Sequence, residues 1–161
     1  MAAARYSSFK NFDELSILLV EDRSEDQELF LKAFRKNGFN NIPHIVKDGV
    51  EAIQHLAKIW TKGDPLPDLI VLDLQIPKYH GLEVLEHIRR EPRTRGIPVI
   101  VLSSSQEILD VAEAFRLGVA GYLVKPIDFH QFVREVGKLK LFWNKLHDSA
   151  TAASSASALS I

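Results

Sequence analysis

The sequence predicts an α/β fold in which a parallel five-stranded sheet is covered by helices on both faces. Four short apolar runs carry this prediction, at residues 17–20, 69–72, 99–102 and 121–124. They are rich in β-branched residues and lack polar alternation, which is typical of strands buried on both faces. Helical segments alternate with these runs, and such alternation predicts parallel strands with helices packed on either side.

The first half of the chain contains two strand–helix units after a loosely ordered lead-in at residues 1–14. The first strand is followed by a helix to about residue 37, with an apolar stripe and Gly38 as a cap. A second strand at 42–46 precedes a helix at 48–59. The apolar stripes of these two helices are Leu29, Phe30, Ala33 and Phe34, and Val50, Ile53, Leu56 and Ala57.

The second half contains three further units, and one domain at residues 15–147 accounts for all five. A turn-rich linker at 62–67 leads into the third strand, and a helix follows Gly81. The fourth strand is followed by a helix at 108–117, which Gly118 ends. The fifth strand precedes a long last helix, capped by Asp128 and running to about residue 146. The Ala/Ser-rich tail at 148–161 is expected to be disordered.

Composition excludes several classes of function. The 161 residues suit one domain, and a net charge of −1 gives no reason to expect a nucleic acid or an anionic membrane as partner. The chain has no cysteine, so disulfides, thiolate zinc sites and cysteine nucleophiles are excluded. No apolar stretch could span a bilayer, and the first ten residues lack the apolar core of a signal peptide. We expect a cytoplasmic protein.

Polar residues follow four of the predicted strands. Since parallel strands end at one edge of a sheet, these side chains should meet there. They are Glu21 and Asp22, Asp73, Ser103, and Lys125. The negative charges of clustered carboxylates repel one another. Mg²⁺, a hard cation that one or two carboxylates can hold, would relieve that repulsion. Asp73 is then the natural nucleophile for forming an aspartyl phosphate, with Lys125 and the Ser103 hydroxyl as donors to phosphoryl oxygens.

Each of these residues also has an ordinary interpretation. A single Asp at a strand end is usually a helix cap or a solvated side chain, and Lys125 could be an exposed loop lysine. Ser103, which is followed by two more serines, could belong to a simple turn. Suitable residue types after strands one, three, four and five together make coincidence a poor explanation.

The pattern resembles the receiver domains of two-component response regulators over about residues 15–140. The matching segments are Leu19-Val20-Glu21-Asp22, Leu72-Asp73-Leu74-Gln75-Ile76-Pro77 with Gly81, Val101-Leu102-Ser103-Ser104, and Gly121-Tyr122-Leu123-Val124-Lys125-Pro126. The resemblance implies the doubly wound, flavodoxin-like (βα)5 fold with strand order 2-1-3-4-5.

The resemblance also implies roles for these residues. Asp73 would be the phosphoacceptor, and Asp22, Asp73 and the Gln75 backbone carbonyl would bind Mg²⁺, with Glu21 acting through a water molecule. Ser103 and Lys125 would hold the phosphoryl group, and Ser103 and Tyr122 would form the switch. The phosphoryl donor would be a sensor histidine kinase, and the only chemistry expected of the chain itself is self-phosphorylation and self-dephosphorylation.

Two departures from the common receiver pattern are visible. Glu21 stands where most receivers have Asp, and its longer side chain still reaches a metal-bound water. Ser103 stands where Thr is commoner, and either hydroxyl can donate. Neither departure argues against phosphorylation. Gln75 and Ser105 occupy the two positions that influence the lifetime of the phosphoryl group in receivers.

The sequence after the predicted receiver contains one long helix and a tail, so we expect no output domain. Glu21-Asp22, the run at 72–77 and the aromatic residues near the end resemble the small receivers that work with bacterial and cyanobacterial phytochrome kinases. Two alternatives stay open. A pseudo-receiver would keep the fold without the chemistry. An aspartate-nucleophile phosphohydrolase would usually need a second Asp where Gln75 stands.

The last helix predicts a homodimer. Its apolar residues follow a heptad stripe, and they are Phe129, Phe132, Val136, Leu139, Trp143 and Leu146. Packing on the chain's own sheet suffices for the first three, but a sheet of short strands is about 20 Å deep, whereas a helix over 129–146 is about 27 Å long. Exposed apolar residues beyond the sheet would need a partner. The predicted interface is Leu139, Phe142, Trp143 and Leu146.

Overall fold

Five parallel strands form the central sheet in the order β2-β1-β3-β4-β5, as predicted. The computed structural model describes residues 10–126 and 128–159, with side chains as far as residue 148. The strands are β1 (Ile17–Val20), β2 (His44–Val46), β3 (Leu69–Leu72), β4 (Val99–Ser103) and β5 (Gly121–Val124). Every residue of β1, β3 and β4 is buried, which explains why these strands are apolar apart from Ser103 at the end of β4.

Five α-helices connect and follow the strands in the described part of the chain. They are α1 (Ser24–Lys36), α2 (Gly49–Lys62), α3 (Gly81–Arg90), α4 (Ile108–Arg116) and α5 (Phe129–Leu159). The predicted caps are present: Asp128 accepts from the backbone N of His130 at 2.7 Å, and Gly118 has a left-handed φ of 74° just after α4. Glycine adopts that conformation without a steric penalty, so the helix can end there.

The two faces of the sheet carry separate cores. Alternate residues of the strands point to opposite faces. One face packs against α2, α3 and α4, with Leu56, Leu85 and Ala114 among the buried contacts. The other packs against α1 and α5, where Phe34 and Val136 are buried. The chain is therefore a three-layer α/β structure, and the ends of its strands are left uncovered at the edge where ligands bind in such folds.

The segment before β1 is part of the core, which corrects the prediction of a loosely ordered lead-in for its described residues. Residues Phe12–Glu14 form a short 3-10 helix. Phe12 is 2% exposed, and its ring lies 4.6 Å from that of Phe39 between centroids. Burial of an aromatic ring of this size offsets part of the conformational entropy that is lost when the segment is ordered. The remainder of the predicted lead-in, residues 1–9, lies outside the described residues.

The last helix also differs from its prediction. It continues to Leu159, past residue 146 and through most of the tail that was expected to be disordered. Alanine has the highest helix propensity, and residues 147–159 contain neither glycine nor proline to end the helix. Residues 160 and 161, the end of that predicted tail, lie outside the described residues.

The predicted dimer interface loses one member, because Leu139 is fully buried in the chain's own core. Two further members of that interface, Phe142 and Trp143, also make contacts within the chain. The Phe142 ring packs so closely on Gly121 that a Cβ there would lie 2.8 Å from it, and Trp143 Nε1 donates to the Lys10 carbonyl at 2.9 Å. The segment before β1 lengthens the layer that α5 covers, which the estimate from strand length alone omitted. Leu146 stays 37% exposed.

Candidate functional site

The acidic residues leave the sheet from two hydrogen-bonded neighbours, β1 and β3. Val20 and Leu72 are paired in register at the ends of these strands, so the residues that follow them start from the same edge. The backbone continues the ladder, because Asp73 N donates to the Val20 carbonyl at 3.1 Å. Carboxylate oxygens of Glu21, Asp22 and Asp73 consequently lie within 4.8 Å of one another.

Lys125 reaches this cluster from the end of β5. Its backbone N donates to the Ser103 carbonyl at 2.8 Å, which extends the pairing of β5 with β4. Its ammonium lies 2.6 Å from Glu21 Oε2 and 2.9 Å from Asp73 Oδ2. Burial by itself lowers the pKa of Lys125, but the ion pairs with Asp73 and Glu21 outweigh that effect and raise the pKa. The ammonium of Lys125 therefore keeps its charge in this site.

Glu21 shows that the negative charges in this site are not fully compensated. Its side chain is almost completely buried, and burial raises the pKa of Glu21 to about 7. Lys125 lowers that pKa, whereas the neighbouring Asp73 raises it further. One ammonium thus fails to balance several carboxylates in a desolvated place.

The donor set fits a divalent cation. Asp22 Oδ1 is buried and has no hydrogen-bond partner among the described residues, which is unusual for a charged oxygen. A hard cation bound by Asp22 and Asp73, with Glu21 beside it, would satisfy that oxygen and supply the missing positive charge. Gln75 also belongs to this place, since its backbone N donates to Asp73 Oδ1 at 3.0 Å. The predicted role of its carbonyl oxygen stays a prediction.

Ser103 and Tyr122 lie on adjoining strands, β4 and β5. Ser103 is fully buried at the end of β4, and its hydroxyl accepts from the backbone N of Ser105 at 3.2 Å. The Tyr122 hydroxyl donates to the Ser105 carbonyl at 2.7 Å. Partial burial raises the pKa of Tyr122, so the phenol keeps its proton and can donate. The loop after Ser103 therefore connects the two predicted switch residues.

The loop after Asp73 is held close to the site by Gly81. Its backbone N donates to the Leu74 carbonyl at 2.8 Å, and a Cβ at this position would lie 2.6 Å from the Asp73 carbonyl. A side chain larger than hydrogen would push the start of α3 away from Asp73. Across the site, Ser104 Oγ donates to Gln75 Oε1 at 2.6 Å, which joins the loops after β3 and β4.

One polar residue of this site was not predicted. Asp26, in the first turn of α1, lies 3.1 Å from Lys125 Nζ through its Oδ2. The sequence position of Asp26 could have indicated this. Asp26 follows Asp22 by four residues, and the first turn of the helix after β1 begins at the same sheet edge as the other acids. The structure thus brings together Glu21, Asp22, Asp73 and Lys125, as predicted, and adds Asp26 to them.

The chain belongs to the response regulator receiver domain family, whose model matches residues 17–137. Receiver domains are signalling modules of two-component systems, in which histidine kinases phosphorylate them. The probable methanogenesis regulatory protein FilR2 of Methanothrix harundinacea is 38% identical over 131 residues, which are 81% of this chain and 84% of FilR2. Response regulator Rcp1 of Synechocystis is 34% identical over 128 residues, 79% of this chain and 87% of Rcp1.

Solved structures extend this comparison to phytochrome response regulators. The phosphorylated cyanobacterial phytochrome response regulator RcpA has a TM-score of 0.72 and 35% identity, covering 80% of this chain and 93% of RcpA. The Mn²⁺-bound form of Rcp1 has a TM-score of 0.67 and 32% identity, covering 80% of this chain and 94% of Rcp1.

None of the helices in the described part of our chain has the length and apolar character that a bilayer-spanning segment needs.

Proposed function

We propose that this chain accepts a phosphoryl group from a sensor histidine kinase on Asp73 and relays it as a change of conformation and dimerisation. The observation that carries the proposal is the setting of Asp73. One of its carboxylate oxygens accepts from Lys125 Nζ at 2.9 Å and the other from the backbone N of Gln75 at 3.0 Å. A carboxylate oriented in this way beside an ammonium is prepared to attack an incoming phosphorus atom.

The transfer follows from that arrangement. An oxygen of Asp73 forms the new P–O bond while the P–N bond of a phosphohistidine breaks, and the imidazole leaves with the electron pair. Lys125 Nζ and the Ser103 hydroxyl stabilise the charge on the phosphoryl oxygens. A Mg²⁺ ion held by Asp22 and Asp73, with the Gln75 carbonyl and a water bound to Glu21, supplies further positive charge when it is bound.

The relay uses Ser103 and Tyr122. A phosphoryl group on Asp73 attracts the Ser103 hydroxyl, whose present partner is the backbone N of Ser105. That movement pulls on the loop whose Ser105 carbonyl accepts from Tyr122, so the ring changes its position. The charge of the phosphoryl group thereby shifts the equilibrium between two arrangements of Ser103, the loop after it and Tyr122. The surface formed by α4 and β5 changes as a result.

The most direct experiment measures phosphorylation by intact mass. Incubation with acetyl phosphate and Mg²⁺ should add one phosphoryl group to the wild-type protein and none to Asp73→Asn. Asp110→Asn is a matched control, because Asp110 is an acid near the site whose partner is Ser105 rather than Lys125. Unchanged labelling of Asp73→Asn would refute the assignment of the phosphoacceptor.

We propose a phytochrome as the kinase, and the likeness to the phytochrome response regulator RcpA supports this. Phosphotransfer profiling against a panel of purified histidine kinases tests it. Preferential transfer from a phytochrome kinase is the expected result. A kinase of another sensory class that transfers at least tenfold faster would contradict the pathway and leave the phosphoacceptor role standing.

The proposed homodimer uses the end of α5, where Leu146 is exposed beside half-buried Phe142 and Trp143. A second copy offering the same stripe would cover these side chains. Leu146→Lys should shift the protein toward monomer in light scattering at micromolar concentration. Leu141→Lys is the matched control, since Leu141 is more exposed, at 58%, but lies off the heptad stripe. Equal effects of both variants, or a monomeric wild type before and after phosphorylation, would reject this interface.

A further inference from the structure

The ammonium of Lys125 has a third acidic partner that lies outside the predicted site. Besides Glu21 and Asp73, it donates to Asp26 Oδ2 at 3.1 Å. Asp26 belongs to α1, whereas the other two acids follow strands of the sheet. The contact therefore ties the first turn of a helix to the residue that would neutralise a phosphoryl group.

These three contacts use every donor that Lys125 has. An ammonium carries three N–H groups and accepts nothing, and here each one points to a different carboxylate. A phosphoryl oxygen that arrives beside Asp73 must therefore displace one of these partners. The site in its resting arrangement already contains a competitor for the group that would bind the phosphoryl oxygens.

Asp26 is the partner that is easiest to displace. Its side chain is 25% exposed, compared with 4% for Glu21 and 6% for Asp73. A carboxylate near solvent recovers its hydration when it loses a partner, whereas a buried one is left uncompensated. The distance from Lys125 Nζ is also longest for Asp26. Water, rather than another protein group, can then take the place of the ammonium.

We propose that Asp26 is a positioning residue that holds Lys125 in the resting state and competes with the phosphoryl group for its ammonium. This inference rests on the proposed phosphoacceptor function of Asp73. When the phosphoryl group arrives, Lys125 exchanges Asp26 Oδ2 for a phosphoryl oxygen and keeps Glu21. Asp26 thereby slows phosphorylation, because its contact must break and its negative charge repels an anionic phosphodonor.

The experiment compares apparent second-order rate constants for phosphorylation by acetyl phosphate in Mg²⁺. In this reaction a P–O bond to Asp73 forms as the P–O bond to acetate breaks, and acetate leaves with the electron pair. Asp26→Asn keeps the shape of the side chain and removes its charge. We expect its rate constant to rise about threefold, the scale of a partly exposed ion pair. Asp26→Glu keeps the charge and should stay close to the wild-type rate.

Glu25→Gln provides the matched control. It removes the same charge from the neighbouring residue of the same helical turn, but Glu25 is 83% exposed and is paired with Arg23 instead of Lys125. Its charge is screened by solvent, so we expect less than about a 1.5-fold change in the rate. Any loss of helix stability from removing an acid near the start of α1 is shared by both variants, whereas the rate change is confined to Asp26→Asn.

A second measurement observes the contact without any phosphodonor. The ammonium protons of Lys125, assigned by ¹H–¹⁵N correlation spectroscopy with Lys125→Arg as reference, should exchange faster with water in Asp26→Asn than in Glu25→Gln. Faster exchange together with faster phosphorylation supports the inference. A rate constant in Asp26→Asn that is equal to or below that of Glu25→Gln overturns it.

Failure of the proposed function gives a different result. If the wild-type protein takes up no phosphoryl group, Asp73 is not a phosphoacceptor for acetyl phosphate. The proposed competition by Asp26 is then wrong as well. If the wild type is phosphorylated and Asp26→Asn behaves like Glu25→Gln, the role of Asp26 alone is wrong.

Discussion

Two places in this molecule take charged side chains out of water, and they treat them in opposite ways. At the corner between α3 and α4, the half-buried guanidinium of Arg89 donates to four backbone carbonyls. Its acceptors are the carbonyls of Leu117 at 2.8 Å, Ile97 at 2.8 Å, Arg95 at 3.0 Å and Gly118 at 3.2 Å. Burial lowers the pKa of Arg89, yet an arginine keeps its charge in proteins.

The acidic edge of the sheet lacks that balance. Lys125 donates to three carboxylates at once. Burial raises the pKa of Glu21 to about 7. Asp22 Oδ1 has no hydrogen-bond partner within the described ranges. The Arg89 corner is complete without any ligand, so its charge contributes to stability. The acidic edge is complete only with added positive charge, which is typical of a site built for binding.

The largest expected effect concerns the Arg89 corner. Arg89→Met should lower the free energy of unfolding by about 2 kcal/mol, because several backbone carbonyls lose their donor together. Urea unfolding measures this. Arg90→Met is the control, since Arg90 forms a surface pair with Glu86, worth about 0.3 kcal/mol. Equal losses in both variants would mean that the carbonyl contacts of Arg89 contribute little.

Mg²⁺ should stabilise the acidic edge to a somewhat smaller extent. At a concentration tenfold above its dissociation constant, a ligand of the folded state adds about 1.4 kcal/mol to the free energy of unfolding. Asp22→Asn should remove most of this gain, because a proposed ligand oxygen loses its charge. Thermal unfolding with Mg²⁺, compared with NaCl at the same ionic strength, checks the prediction. Full stabilisation of Asp22→Asn would exclude Asp22 as a ligand.

A substitution that removes excess charge should stabilise the metal-free protein. We expect Asp73→Asn to raise the free energy of unfolding in EDTA by about 1 kcal/mol, because it relieves repulsion around Glu21. Asp68→Asn should have the opposite sign, since Asp68 accepts from the backbone N of Ser16 at 2.9 Å and pairs with Lys10. If both variants are destabilised, the acidic edge is better compensated than its contacts indicate.

The smallest effect is expected at Tyr122. Tyr122→Phe removes one hydrogen bond to a loop carbonyl and should cost about 0.5 kcal/mol, with phosphorylation of Asp73 retained. The informative measurement is the response of α4 and β5 amide resonances to acetyl phosphate. We expect that response to weaken in Tyr122→Phe. An unchanged response would show that the Tyr122 hydroxyl takes no part in the relay.

The local pattern of the sequence was sufficient for the strands and for most of the site. The run at 69–72 is apolar because it is covered on both faces, and Asp73 follows directly at the end of the strand. Glu21 follows β1 and Lys125 follows β5 in the same way, whereas Ser103 is the last residue of β4. Strand order followed from a resemblance in the site motifs, and the structure confirms it. These features depend on residues that are adjacent in the chain, so they can be seen without coordinates.

Features that depend on distant residues escaped prediction. Leu139 was placed in a dimer interface because the covering of α5 was estimated from the strands alone, whereas Phe12 and its neighbours extend that layer. In the sequence Arg89 is an ordinary arginine near a helix end, and only the fold places the Leu117 carbonyl after α4 within its reach. In the sequence Asp26 is an acid in a first helical turn that would be expected in solvent, and only the fold brings it to Lys125, 99 residues away.

The fold class, the sheet edge at which polar groups gather and the types of polar group there could be predicted from the residues alone, because buried strands and strand ends differ in residue type. The tertiary structure was needed to show which carboxylates share Lys125, which carboxylate oxygen has no hydrogen-bond partner among the described residues, and which carboxylate lies near enough to water to be released. Those outcomes depend on distances of a few ångströms between segments far apart in the chain, and the energies of charged groups change steeply over such distances.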